Sequence, residues 1–131
     1  MKKFLFAAAA LVFSLAINAQ TTTTPDDVVK FNTEKHDFGK IKQGTPVDFY
    51  FEIKNKSDKP VVIEYASASC GCTTPEVPKE PIMPGATAKL KVSYNAVAVG
   101  AFKKDVTIKL AGIEQPKVVN IVGEVLPPPA K

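Results

Sequence analysis

The chain has 131 residues, with 17 lysines and no arginine against 13 acidic residues, for a formal net charge of +4. Arginine supplies the bidentate contacts to phosphate and base edges, and the lysines here are interleaved with acids along alternating segments, so nucleic acid is not an expected partner. Two cysteines (Cys70 and Cys72) and a single histidine (His36) leave few groups for catalysis or metal binding.

Residues 1–19 read as a secretory signal peptide. Lys2 and Lys3 are followed by an apolar run from Phe4 to Ile17, with Ala19 at the cleavage point. A transmembrane anchor needs about 20 apolar residues, more than this run provides. Lipoprotein processing needs a cysteine at the new N-terminus, and none precedes Cys70. Cleavage leaves 112 residues from Gln20 with a net charge of +2. The expected product is exported to the periplasm or beyond the cell, with no membrane span after cleavage, and is one small domain with a limited core.

Residues 20–27 are polar, contain Pro25 and have no periodicity, which predicts a flexible leader. The domain is expected over 28–126, and the proline-rich tail 127–131 leans towards polyproline II. Within the domain, "VVKFN" and "EKHDFG" read as a split first strand. In "VDFYFEIKN", Val47, Phe49, Phe51 and Ile53 share one face. In "ATAKLKVSYN" the set is Ala88, Leu90, Val92 and Tyr94. In "AFKKDVTIKL" it is Phe102, Val106, Ile108 and Leu110, with Lys104 breaking the parity. Period two marks half-buried strands, and "PVVIEYASAS" and "KVVNIVGEVL" are β-branched runs of the same kind. Turns at Gly39, Gly44, "NKSDKP", Pro84–Gly85, Gly100 and "AGIEQP" separate the runs. About seven strands in this length predict an all-β, immunoglobulin-like antiparallel sandwich, with a small barrel as the alternative.

The order "HDFGKI", "FEIKNKSDKPVVI", "SASCGCTTP", "PIMPGATAKLKVSY", "GAFKKDVTIKL", "VNIVGEV" resembles the bacterial family catalogued as domain of unknown function 1573, over about Phe31 to Val125. That family looks like a relative of the major-sperm-protein and ASPM–SPD2–Hydin immunoglobulin-like domains. The resemblance implies a seven-stranded sandwich secreted by Gram-negative bacteria. It implies no activity; the eukaryotic relatives are binding and scaffolding modules, and fold alone does not fix function. The "CGCTTP" motif belongs to the bacterial family and not to those relatives, which singles out Cys70, Gly71 and Cys72, with Thr73 as motif support.

The cysteine pair allows several chemistries. As a bridge, Cys70–Cys72 closes a three-residue loop worth roughly 1.6 kcal/mol by chain entropy, against ~3 for fifteen residues. Residues two apart in an extended chain lie ~6.5–7 Å apart at Cα, at the disulfide limit, unless Gly71 bends the chain. Thiols in an oxidising compartment tend to pair, while burial as two small apolar side chains is the bland alternative. Two thiolates on one strand face can also chelate Cu(I), with His36 and Met83 as weak further ligands. A dithiol–disulfide role is open, although no helix N-terminus is there to activate a thiol.

A catalytic triad would have to use His36, and the chain carries no zinc-protease, nucleophile-elbow or phosphate-loop motif. The sequence therefore reads as a non-enzymatic envelope module that binds an unknown protein or surface polymer through its sheet edges and the loop Ser69–Pro84. A copper-binding or redox protein acting through Cys-Gly-Cys is the alternative.

Overall fold

The computed structural model describes residues 21–129, so the signal-peptide reading of 1–19 and the last two residues of the tail lie outside the described residues. The alternating segments form eight strands in two four-stranded sheets: β1 (Val29–Phe31), β2 (Lys35–Lys42), β3 (Val47–Asn55), β4 (Ile63–Ala68), β5 (Thr73–Glu76), β6 (Thr87–Tyr94), β7 (Gly100–Leu110) and β8 (Lys117–Leu126). One sheet has the order β1-β3-β6-β5 and the other β2-β8-β7-β4. This is the immunoglobulin-like sandwich the periodicity predicts, with one more strand than the seven expected.

The split first strand has a structural purpose. β1 pairs antiparallel with the end of β3, Phe31 opposite Ile53, whereas β2 runs parallel to β8 in the other sheet, His36 opposite Ile121. The chain thus changes sheet between Phe31 and Lys35. A bulge between Asp37 and Lys40 interrupts the β2 register; Gly39 sits there at φ 68°, a conformation glycine adopts without steric cost.

The faces chosen by alternation meet in the core. Phe51, Ile53, Leu90, Val92 and Tyr94 from one sheet face Val106, Ile108, Leu110, Val119, Ile121 and Val125 from the other, and all are essentially buried. Burial of each such side chain contributes about 1.5–3 kcal/mol, so these strands rather than the loops hold the domain. Lys104, which breaks the parity of β7, is half-buried opposite Ile121 at the margin of that core.

Two stretches differ from the sequence expectation. The polar run read as a leader ends in a helical turn, α1 (Pro25–Val28), with Pro25 buried. The Asp27 carboxylate accepts from the Thr24 N–H and hydroxyl at 2.7 and 2.9 Å, and Lys117 of β8 donates to Asp26 at 2.7 Å. The segment expected as a long presented loop, Ser69–Pro84, is tied to the sheets at two points while most of its residues stay exposed. Thr73–Glu76 is β5, paired with β6, and Ile82 bridges Val61. Pro75 is tolerated because β5 is an edge strand, where a missing N–H need not break a ladder. Among the described residues no helix is long and apolar enough to cross a membrane.

Candidate functional site

The Cys-Gly-Cys turn is the point at which the chain crosses from one sheet to the other. β4 ends against the middle of β7: the Ser69 N–H donates to the Asp105 carbonyl at 2.9 Å, and the Asp105 N–H donates to Ser69 Oγ at 3.2 Å. Four residues later Thr73 has joined the other sheet opposite Tyr94. The Thr73 N–H donates to the Cys70 carbonyl at 3.3 Å, and the Asn95 N–H donates to the Cys72 carbonyl at 3.0 Å. The turn is therefore fixed by backbone hydrogen bonds at both ends.

Cys70 and Cys72 are joined as a disulfide, with Cα atoms 5.3 Å apart, inside the range a bridge needs and shorter than an extended dipeptide step allows. Gly71 does not adopt a left-handed conformation, and a Cβ there would meet nothing within 4 Å. The bend is ordinary, and Gly71 contributes open space at the turn rather than unusual dihedrals. Gly71 is exposed and both cysteines are half-buried; the Cys72 side chain packs against the core. Thr73 is 4% exposed, and its Oγ1 lies 3.9 Å from Cys70 Sγ and 3.7 Å from Cys72 Sγ. One buried hydroxyl thus lies within reach of both sulfurs.

The turn leads directly to a second feature absent from the sequence expectations. Asn95, bonded to Cys72, opens the β6–β7 loop, and its Oδ1 accepts from the Val97 N–H at 3.2 Å. Ala96 is buried with φ 56°, rare for a residue with a Cβ, and its carbonyl accepts from the Gly44 N–H at 2.8 Å. Gln43 donates its side-chain amide to the Val97 carbonyl at 2.9 Å and its N–H to the Leu126 carbonyl at 3.1 Å. On this pinned backbone Val97 and Val99 stand 62% and 51% exposed. The sequence signal was "NAVAVG", two valines in a non-alternating stretch between Tyr94 and Phe102.

The other candidates lie elsewhere. Met83 is exposed beside the turn that Asn55 and Gly85 close, before β6 begins; Cys72 is level with the far end of β6, on the order of 25 Å away for eight strand residues. His36 is on β2, three strands across the sheet from the end of β4, or roughly 14 Å. Its ring stacks on Phe49 at 3.7 Å, with Phe38 edge-on at 4.6 Å. Burial lowers the His36 pKa, with the Asp37 charge opposing. The fold does not gather Cys70, Cys72, His36 and Met83, and no group of three or more His, Cys, Asp or Glu residues is placed to hold a metal among the described residues. A cleft of about 410 Å³ opens at the β2 bulge, lined by Asp37, Lys40, Phe102 and Glu124 among others, and includes neither cysteine.

A family profile described as "Protein of unknown function (DUF1573)" matches residues 29–125. No curated protein sequence matches the chain. Solved structures share the fold at low identity. A protein of unknown function from Porphyromonas gingivalis aligns with a TM-score of 0.65 at 16% identity, over 74% of this chain and 46% of that one. PapD-like domain 7 of human CEP192 aligns at 0.65 and 11% identity, over 84% of this chain and 93% of that domain. WR4, a major-sperm-protein family member of C. elegans, aligns at 0.50 and 8% identity, over 76% and 98%. The chain thus spans about half of the Porphyromonas protein and nearly all of the other two. At these identities the likeness is one of fold, the PapD-like variety of immunoglobulin sandwich.

Proposed function

The chain belongs to the family described as Protein of unknown function (DUF1573), and from that premise we propose that it is an exported, non-enzymatic module that binds a protein or a surface polymer of the cell envelope. The observation that carries this reading is the Asn95–Val99 loop. Singly exposed valines are ordinary on a protein surface. Here two of them are held out by a backbone pinned at Cys72, Gly44 and Gln43, with Ala96 in a conformation that residues outside functional or tightly constrained sites rarely keep. A contact surface ordered before binding loses less entropy on association. The Cys-Gly-Cys turn, bonded to the same loop, extends that surface. The solitary histidine is stacked against Phe49, a packing role that supports binding over catalysis.

The test is photo-cross-linking in the producing cell. A cross-linking residue at position 97 or 99 is expected to give a discrete adduct, protein or polymer, while one at Val118, 44% exposed on β8, gives none. Processing is read from the same sample: the mature mass begins at Gln20. An exported chain with no adduct from either loop position overturns the binding reading.

A further inference from the structure

The Cys70–Cys72 bridge is badly placed to be a staple. It closes a three-residue loop, and the residues it ties are already held: Ser69 by Asp105, Thr73 by Cys70 and Tyr94, Cys72 by Asn95. None of these hydrogen bonds uses a sulfur atom. Neither cysteine is fully buried, and Gly71 between them is exposed with free space where a side chain would stand. The two sulfurs differ: Cys72 packs against the core, whereas Cys70 is not among the side chains packed there. The Thr73 hydroxyl, almost fully buried, lies within hydrogen-bonding reach of both.

We propose that Cys70–Cys72 is a thiol–disulfide exchange site that accepts two electrons from an external dithiol, with Cys70 the attacked sulfur and Thr73 the donor to the sulfur that leaves. A thiolate of the dithiol attacks Cys70 Sγ; the Cys70–Cys72 bond breaks and Cys72 departs as a thiolate, which accepts a hydrogen bond from the Thr73 hydroxyl and then a proton. The second thiolate of the dithiol attacks its own sulfur in the mixed disulfide, releasing Cys70 as a thiolate that is protonated in turn. The dithiol is oxidised to a disulfide and the bridge is reduced to two thiols, with two electrons and two protons transferred. A better leaving sulfur accelerates such exchange, which gives the hydroxyl its role. The inference stands on the turn itself and is independent of what the Asn95–Val99 loop binds.

Reduced dithiothreitol is the probe. The folded protein is mixed with it, quenched with an alkylating reagent and weighed; each opened bridge adds two alkyl groups. Complete opening is expected with the circular dichroism kept and the thermal midpoint moved by only a few degrees. Thr73→Val is expected to slow opening about tenfold, as loss of one hydrogen bond to a charged atom implies, and Thr73→Ser to restore it. With oxidised glutathione, Cys70 in the Cys72→Ser variant forms the mixed disulfide faster than Cys72 in Cys70→Ser. A bridge that opens only when the domain unfolds, a Thr73→Val protein that opens at the parental rate, or a faster Cys72 overturns the proposal.

Discussion

The rings of His36 and Phe49 lie 3.7 Å apart and 8° from parallel, although β2 and β3 belong to different sheets. β1 covers only the last residues of β3, from Ile53 to Asn55, and the margin between the sheets beyond it is closed by this stack. Phe38 on one side and Phe51 on the other meet it edge-on. The histidine is therefore a piece of aromatic packing.

That position makes His36 a source of pH-dependent stability. Burial holds its pKa below the ordinary value, against the pull of Asp37. With the folded pKa depressed below 6.5, the unfolded chain binds more protons in the interval between the two values. Stability is then complete above about pH 6.5 and falls as the pH drops through the folded value. The thermal midpoint is expected to decline between pH 7 and pH 5, and His36→Phe is expected to flatten that decline. Equal slopes in the two proteins would show that the loss arises elsewhere.

Asn55 is fully buried with its side chain saturated. Its amide donates to the Lys59 and Ile82 carbonyls at 2.7 and 2.8 Å, and its Oδ1 accepts from the Ser57 N–H and hydroxyl at 2.9 and 2.7 Å. Asn55→Asp removes both donors and sets a carboxylate against two carbonyls. The expected loss is about 3 kcal/mol, or roughly 10–15 °C in thermal midpoint for a domain of this size. A midpoint within 3–4 °C of the parent, on the order of 1 kcal/mol, would mean that the turn reorganises around the acid. The same bonds make "NKS" the turn that the sequence predicts.

Most of the sandwich was legible because two-residue alternation reports directly which face a strand buries, as in Phe49, Phe51 and Ile53. β5 was not: "TTPE" carries a proline, sits at an edge and buries little besides Thr73, so no local signal separates it from a loop. The cysteine pair was visible at once, but its state was not. An extended spacing puts the Cα atoms at the limit for a bridge, and only the crossing between sheets brings them to 5.3 Å. The packing of His36 gave no signal because Phe49 lies on the other sheet. Lys117 gave no signal, since its acids are 83 and 91 residues away in sequence.

Gly123 is fixed by a close approach. A Cβ at that position would stand 2.8 Å from two ring atoms of Phe102 and 3.0 Å from the Gly39 carbonyl oxygen. The ring is held by its stack at 4.1 Å on Tyr94 of the opposite sheet. Gly123→Ala is expected to destabilise by about 1–3 kcal/mol, as overpacking does, read by denaturant unfolding. In a Phe102→Leu background, where the clashing atoms are gone, the same change is expected to be markedly less harmful. Simple additivity of the two substitutions would rule out the clash as the cause.

Lys117 draws the N-terminal segment onto the sandwich. Its side chain is only 10% exposed, and its ammonium donates to Asp26, at 2.7 Å, and to Glu34, both of which remain well exposed. Burial alone would push the lysine pKa down, but the hydrogen bonds and charges of the two carboxylates together outweigh it, and the net shift is upwards. The linkage then favours the folded state at every pH below about 10.5, and the contribution disappears as the pH rises through the elevated folded value. Lys117→Met keeps much of the apolar stem over Phe31 and removes the charge. Charge-assisted hydrogen bonds contribute about 1.5–3 kcal/mol, and the exposure of both acids argues for the lower part of that range. The variant is expected to lose about 1–2 kcal/mol at pH 7 and to release α1 first, so that amide protons of Val28 and Val29 exchange faster than those of β8. If the thermal midpoint falls while exchange at Val28 and Val29 is unchanged, Lys117 stabilises the sandwich through its ammonium over the Phe31 ring and not by holding the segment before β1.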